Sequence, residues 1–149
     1  MHRLRLVPLC LLACLLAACG ASDTPEQQIR NAIAEMETAA ESRDVGDLMA
    51  HVAADYSDGA GHDAEAIRRY VHGYFIANQS IHLLTRVDSL IFPQPDEARA
   101  TVTVGMVGRE ADAATAWNLA ADLYEFEVVL IRRAETWQVT RAQWRRLGG

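Results

Sequence analysis

Asp55-Tyr56-Ser57-Asp58-Gly59-Ala60-Gly61-His62-Asp63 puts three carboxylates, an imidazole and a phenol into nine residues. Such a run can hold a hard cation, move a proton, or turn the chain. A calcium loop needs oxygen ligands at positions 1, 3 and 5, glycine at 6 and glutamate at 12. With Gly59 at position 6, Asp58 and Glu65 fall correctly, but Ala54 and Tyr56 take positions 1 and 3. With Gly61 there, Tyr56, Ala60 and Ile67 occupy ligand positions. Neither register carries a cation. His51, His62, His72 and His82 lack the close spacing of a zinc set. No metal and no cofactor are therefore expected.

Proton transfer needs a buried acid or base with a hydrogen-bond donor facing it. Asp55 with Tyr56 is one candidate pair. Asp122 with Tyr124 is another, two residues apart and so on one face of a strand. Tyr70 and Tyr74 are potential donors from a helix. Turn chemistry accounts for the rest of the opening run: Asp58-Gly59 is a turn pair, Gly61 offers a positive φ, and Asp63 can cap a helix.

The elements that must position these groups follow from hydrophobic period. Thr24-Pro25-Glu26-Gln27 opens a helix with a capping residue and an N1 proline, and Ile29, Ile33, Met36 and Ala40 recur at helical spacing. Asp44 caps a shorter helix with Leu48, Met49 and Val52 inward. Ala53 to His62 is predicted to be a loop. Asp63 then caps a third helix facing inward through Ile67, Tyr70, Val71 and Tyr74, with Phe75 beside them. From Ser80 the period changes to two. Strands are predicted over Ser80–Phe92, Glu97–Val107, Ala121–Arg133 and Thr136–Arg146, with a tight turn at Ala134-Glu135. On the last strand strict alternation puts Trp137 and Val139 on one face and Trp144 on the other. Trp117 stands alone in an Ala-rich connection.

Helices followed by a meander of strands define an α+β domain with the helices on one face of an antiparallel sheet. The order helix, short helix, D-Y-x-D run, a third helix ending Tyr74-Phe75-Ile76-Ala77-Asn78-Gln79, and the closing "YEFEVVLIRRAETWQVTRAQW" resembles the NTF2-like (SnoaL-like) superfamily. The resemblance spans nearly all of Pro25 to Arg146. It implies the NTF2-like/cystatin-like cone, a curved antiparallel sheet wrapped around three N-terminal helices. It also implies a cavity, for which Tyr70, Tyr74, Phe75, Phe126 and Trp137 are candidate lining residues or ordinary core. Ketosteroid isomerases and dehydratases share this fold, but their catalytic dyads do not map onto this chain residue by residue.

The N-terminus points to location. Arg3 and Arg5 precede the apolar run Leu6–Ala18, which is too short to span a bilayer and has the layout of a secretory signal. Leu16-Ala17-Ala18-Cys19 resembles a bacterial lipobox. That resemblance implies cleavage of a 1–18 lipoprotein signal peptide and lipidation (palmitate) of Cys19, ahead of a short tether over 19–24 and a single domain over 25–149. Gly20 in place of aspartate favours the outer membrane, facing the periplasm. Loss of residues 1–18 removes Cys10 and Cys14, so no disulfide or thiolate chemistry is left to the domain. It also removes two of fourteen arginines and none of the twenty acids. So acidic a chain is a poor nucleic-acid ligand. The expected function is that of an envelope lipoprotein. Its domain holds a small apolar ligand without catalysis, or docks a homodimer mate or envelope protein on its sheet face. The alternative is a small isomerase, dehydratase or hydrolase using an Asp–Tyr pair in the cone.

Overall fold

The computed structural model describes residues 22–107 and 120–148. The signal segment, Cys19 and Trp117 lie outside the described residues. Helix α1 (Pro25–Glu41) starts where the sequence predicts: Thr24 Oγ1 accepts the Gln27 N–H at 3.2 Å, and Pro25 occupies the first turn, where no amide donor is needed. Asp44 caps α2 (Val45–Ala50) by accepting the Asp47 N–H at 2.9 Å. Asp63 caps α3 (Ala64–Ala77) through the Ala66 N–H at 2.8 Å.

The predicted loop after α2 is mostly a strand, β1 (Val52–Asp58). It pairs parallel with the last strand, and its register slips between Val52 and Ser57. The slip is why alternation does not reveal it: Ala53 and Tyr56, three residues apart, are both buried. The helices are thus interrupted by a strand, and the sheet is not wholly antiparallel. Strands β2 (His82–Gln94), β3 (Glu97–Val107), β4 (Ala120–Arg133) and β5 (Thr136–Leu147) form the predicted antiparallel meander, and the full order is β1-β5-β4-β3-β2. Ala134 and Glu135 make the β4–β5 turn at φ 48° and 66°. Two left-handed residues match the twist of a two-residue hairpin, although neither is a glycine.

Bulges bend the sheet around the helices. On β5, Val129 faces Arg141 while Leu130 faces Val139, so Thr140 is an extra residue. The bulge reverses the phase of everything after it. Trp137, Val139, Ala142 and Trp144 therefore face the helices together, correcting the expected split between Trp137 and Trp144.

The core lies between this inner face and α1. Ile29 and Ile33 of α1 pack with Tyr56, Ala98, Ala100, Val102, Leu130, Trp137 and Val139. Large is set against small across the ladder, Leu130 against Ala98 and Val128 against Ala100. The C-terminal half of α1 also covers the free edge of β2: Glu41 Oε1 accepts the Leu83 N–H at 2.8 Å, and Glu37 accepts the Thr85 hydroxyl proton. A second, smaller cluster, Ala40, Phe75 and Ile81, sits under the end of α3. Helix α1 therefore runs from the β2–β3 turn towards the start of β2, which gives the cone two distinct ends.

Candidate functional site

Asp55 and Tyr56 alternate on β1 and point in opposite directions. Asp55 is exposed and takes both guanidinium arms of Arg133, at 2.7 and 2.8 Å. That hydrogen bonding holds its carboxyl below the usual carboxylate range. Tyr56 is in the core, where burial, reinforced by the charge of Asp58, pushes its hydroxyl up to about 12. The two do not form an acid–base pair. Asp58 organises the turn that follows. Burial opposes its ionisation, but the His62 and Ala60 N–H groups and the His62 ring, 2.7 Å away, outweigh that and lower its pKa. The opening run is a strand and a self-bonded turn.

The other candidate pair lies at the end of the cone where β3 finishes and β4 begins. Met106 faces Asp122 across the ladder, Val104 faces Tyr124, and Tyr124 faces Arg146. Tyr74 comes down from α3 and donates its hydroxyl to the Met106 sulfur at 3.2 Å. Its pKa is raised, first by burial and then by Tyr70, Tyr124 and Asp122, each of which lies within electrostatic reach of Tyr74. Asp122 is ion-paired with Arg146. Deeper in, Phe126 stacks on Trp144 with ring centroids 6.0 Å apart and planes 29° from parallel, and Trp144 remains 40% exposed. This end of the cone, its mouth, thus combines polarisable aromatic side chains, one thioether and one ion-paired carboxylate, while surface hollows lie elsewhere, beside α1 and α2 and between α2, β1 and α3.

The predicted lining residues separate accordingly. Tyr74 and Phe126 flank the mouth. Tyr70, expected on the inner face of α3, is instead 67% exposed, within electrostatic reach of Tyr74. Phe75 belongs to the small cluster with Ala40 and Ile81. Trp137 is buried at the opposite, narrow end, its indole N–H donated to Gln28 Oε1 at 3.0 Å. Sequence reasoning missed Met106, Trp144 and Arg146 as members of the site. Met106 was legible from alternation on β3. Trp144 and Arg146 were not, because the bulge at Thr140 hides their phase. Among the described residues, no group of three or more His, Cys, Asp or Glu side chains is placed to hold a metal ion. The outer face of the sheet is polar: Ser89 bonds Thr101, Thr103 bonds Asp88, and Arg145 bonds Glu125.

This fold recurs among solved structures. The chain is similar to a domain of unknown function with a cystatin-like fold from Nostoc punctiforme (TM-score 0.68, 16% identity, 87% of this chain and 81% of that one). It is also similar to a ketosteroid isomerase-like protein from Erwinia carotovora atroseptica (0.60, 15%, 82% and 95%). An NTF2-like protein of unknown function from Shewanella baltica matches over 86% of this chain and all of its own (0.61, 8%). No family model and no curated protein sequence matches the chain. The domain is an α+β cone of the NTF2-like, cystatin-like fold. Solved structures of this fold include both proteins of unknown function and an isomerase-like one.

Proposed function

We propose that the chain is a lipoprotein of the bacterial envelope whose cone binds a small apolar, ring-bearing ligand at its mouth without transforming it. The observation that supports this most is the engagement of Asp122 by Arg146 within an aromatic mouth. Proton abstraction needs a carboxylate lone pair aimed at substrate, and here Asp122 Oδ1 is already engaged by the Arg146 guanidinium. Phe126, Trp144, Tyr74 and Tyr124 offer flat, polarisable surfaces, while Asp122 and Arg146 supply polar atoms at the rim. The anchor would be lipidated Cys19, holding the domain at the outer membrane on its periplasmic side.

Native mass spectrometry of the protein released from its own envelope tests the binding reading. A reproducible extra mass that leaves on denaturation is expected; a bare mass would overturn it. A dimer peak would instead favour docking through the sheet face. The second reading, a small isomerase or dehydratase, is supported by the placement of Asp122 and Tyr124 on one face of β4 with Tyr74 within electrostatic reach of both. It requires the bound molecule to exchange a carbon-bound proton with deuterated water, and Asp122→Asn to abolish that exchange while leaving binding intact. For the anchor, Cys19→Ser is expected to yield folded protein in the soluble fraction.

A further inference from the structure

The narrow end of the cone carries an apolar tip that the ligand site does not use. Ile91 is 57% and Phe92 40% exposed, near the end of β2. They precede Pro93 and Pro95, which carry no amide N–H and so leave fewer bare donors at the turn. Ile91 faces Arg99 on the outer side of the ladder, while Phe92 turns inward, edge-on to Trp137 at 6.0 Å and 69°. The tip is therefore apolar on both sides of the strand. Its nearest acids are already neutralised: Asp96 pairs with Arg132 at 2.8 Å and Glu97 with Arg99 at 3.0 Å.

The position of this tip matters as much as its composition. Trp137, which Phe92 touches, donates its N–H to Gln28 in the first turns of α1. The hairpin tip thus stands beside the point where the chain enters the domain. Five chain steps lead from Cys19 to the cap Thr24, a reach of at most about 18 Å when fully extended. An anchor at Cys19 would hold this end, and not the mouth, against the bilayer.

We propose that the tip Ile91-Phe92-Pro93 sits in the interfacial layer of the membrane that holds the anchor, as a second, protein-borne contact beside the lipid. The inference rests on the lipoprotein reading above. It fits the general need of peripheral proteins for two membrane signals, with apolar side chains reaching about 5–10 Å into the headgroup boundary. Because Asp96 and Glu97 are paired with Arg132 and Arg99, the contact depends on apolar burial and little on anionic lipid.

The experiment uses the full chain. Once Cys19 is acylated, the matured protein has no free thiol, so a cysteine at Ile91 can be labelled selectively with an environment-sensitive fluorophore. The labelled Ile91→Cys protein is reconstituted into phosphatidylethanolamine–phosphatidylglycerol vesicles, with His72→Cys on exposed α3 as control. Expected is a blue-shifted emission at Ile91→Cys that doxyl-labelled lipid quenches, with neither effect at His72→Cys. Lipid found on Cys19 by mass, with an unquenched label at position 91, would overturn the inference and leave the lipoprotein reading standing. An unmodified Cys19 in protein matured in its own host would overturn both. A shift that persists in detergent and grows with protein concentration would mean that a second copy covers the tip, and would also overturn the inference.

Discussion

The two ends of the cone are made from the same strands and finish in opposite chemistry. At the narrow end Trp137 is 3% exposed and its only polar atom is bonded to Gln28. At the mouth Trp144, on the same strand and the same face, is 40% exposed and stands beside a tyrosine–aspartate–arginine group. One end, the narrow one, has its interior filled by side chains, with the hairpin tip at Ile91 and Phe92 exposed outside it. The other keeps large aromatic surfaces half in solvent, which a sequence with 50% hydrophobic residues had the means to cover. The difference assigns stability to the first end and recognition to the second, and both halves of that assignment can be tested.

The largest expected effect is at the narrow end. Trp137→Ala should destabilise the fold by about 3–5 kcal/mol in urea titration, as truncation of a fully buried aromatic does, whereas Trp144→Ala should cost well under half as much. Equal losses would erase the contrast between the ends. Next, Gln28→Ala orphans the buried indole N–H and should cost about 1–3 kcal/mol. A loss near zero would mean that water replaces the glutamine. In the opposite direction, Ala134→Asn with Glu135→Gly should raise stability by about 1–2 kcal/mol in the same titration, because left-handed backbone is costly for residues with an ordinary Cβ.

A smaller effect lies between the ends. The Thr103 hydroxyl and Arg86 hold the Asp88 carboxyl below the usual carboxylate range. Its folded pKa is thus below its unfolded one. The contribution is fully present above the unfolded value and is lost as pH falls through the folded one. Asp88→Asn should therefore flatten the acid limb of a stability–pH profile below about pH 4 and leave no pH-dependent difference near neutrality. The smallest change in stability is expected at the mouth. Tyr74→Phe removes one hydroxyl–sulfur contact and should shift stability by about 0.5 kcal/mol or less, while diminishing the ligand-bound peak in native mass spectra. A variant that loses stability and keeps its ligand would reverse the assignment of the two ends.

Much of this was legible in the sequence. The three helix caps, the positions of β2 to β4 and the pairing of Asp122 with Tyr124 on one strand face all follow from local rules that the structure obeys. Most of what was hidden on the strands has one cause. Wherever an extra residue enters a strand, the period of two is lost, and with it the evidence for which face a side chain takes. That concealed β1, whose buried Ala53 and Tyr56 are three apart. It also concealed the inward turn of Trp144 and Arg146. The ion pair of Asp55 with Arg133 was out of reach for another reason: it joins residues 78 apart in sequence on strands that only the sheet order brings near. The lining candidates Phe75 and Trp137 show the remaining limit, since an aromatic at an inward position reads the same whether it fills a core or faces a ligand.

The single extra residue at Thr140 also bears on which descendants of this sequence remain viable. Downstream of it, length and not identity decides what each side chain sees. Deleting Thr140 itself would close the bulge and leave Trp144 and Arg146 facing the helices, because the ladder partners on either side of it are already in phase. Deleting Gln143 would instead carry Trp144 and Arg146 to the outer surface and bring Arg145 inward. Conservative substitutions along β5 are thus mild beside a one-codon deletion past the bulge. Related chains that gained or lost a residue between Ala142 and Trp144 would share this fold while presenting a different set of groups to whatever they bind.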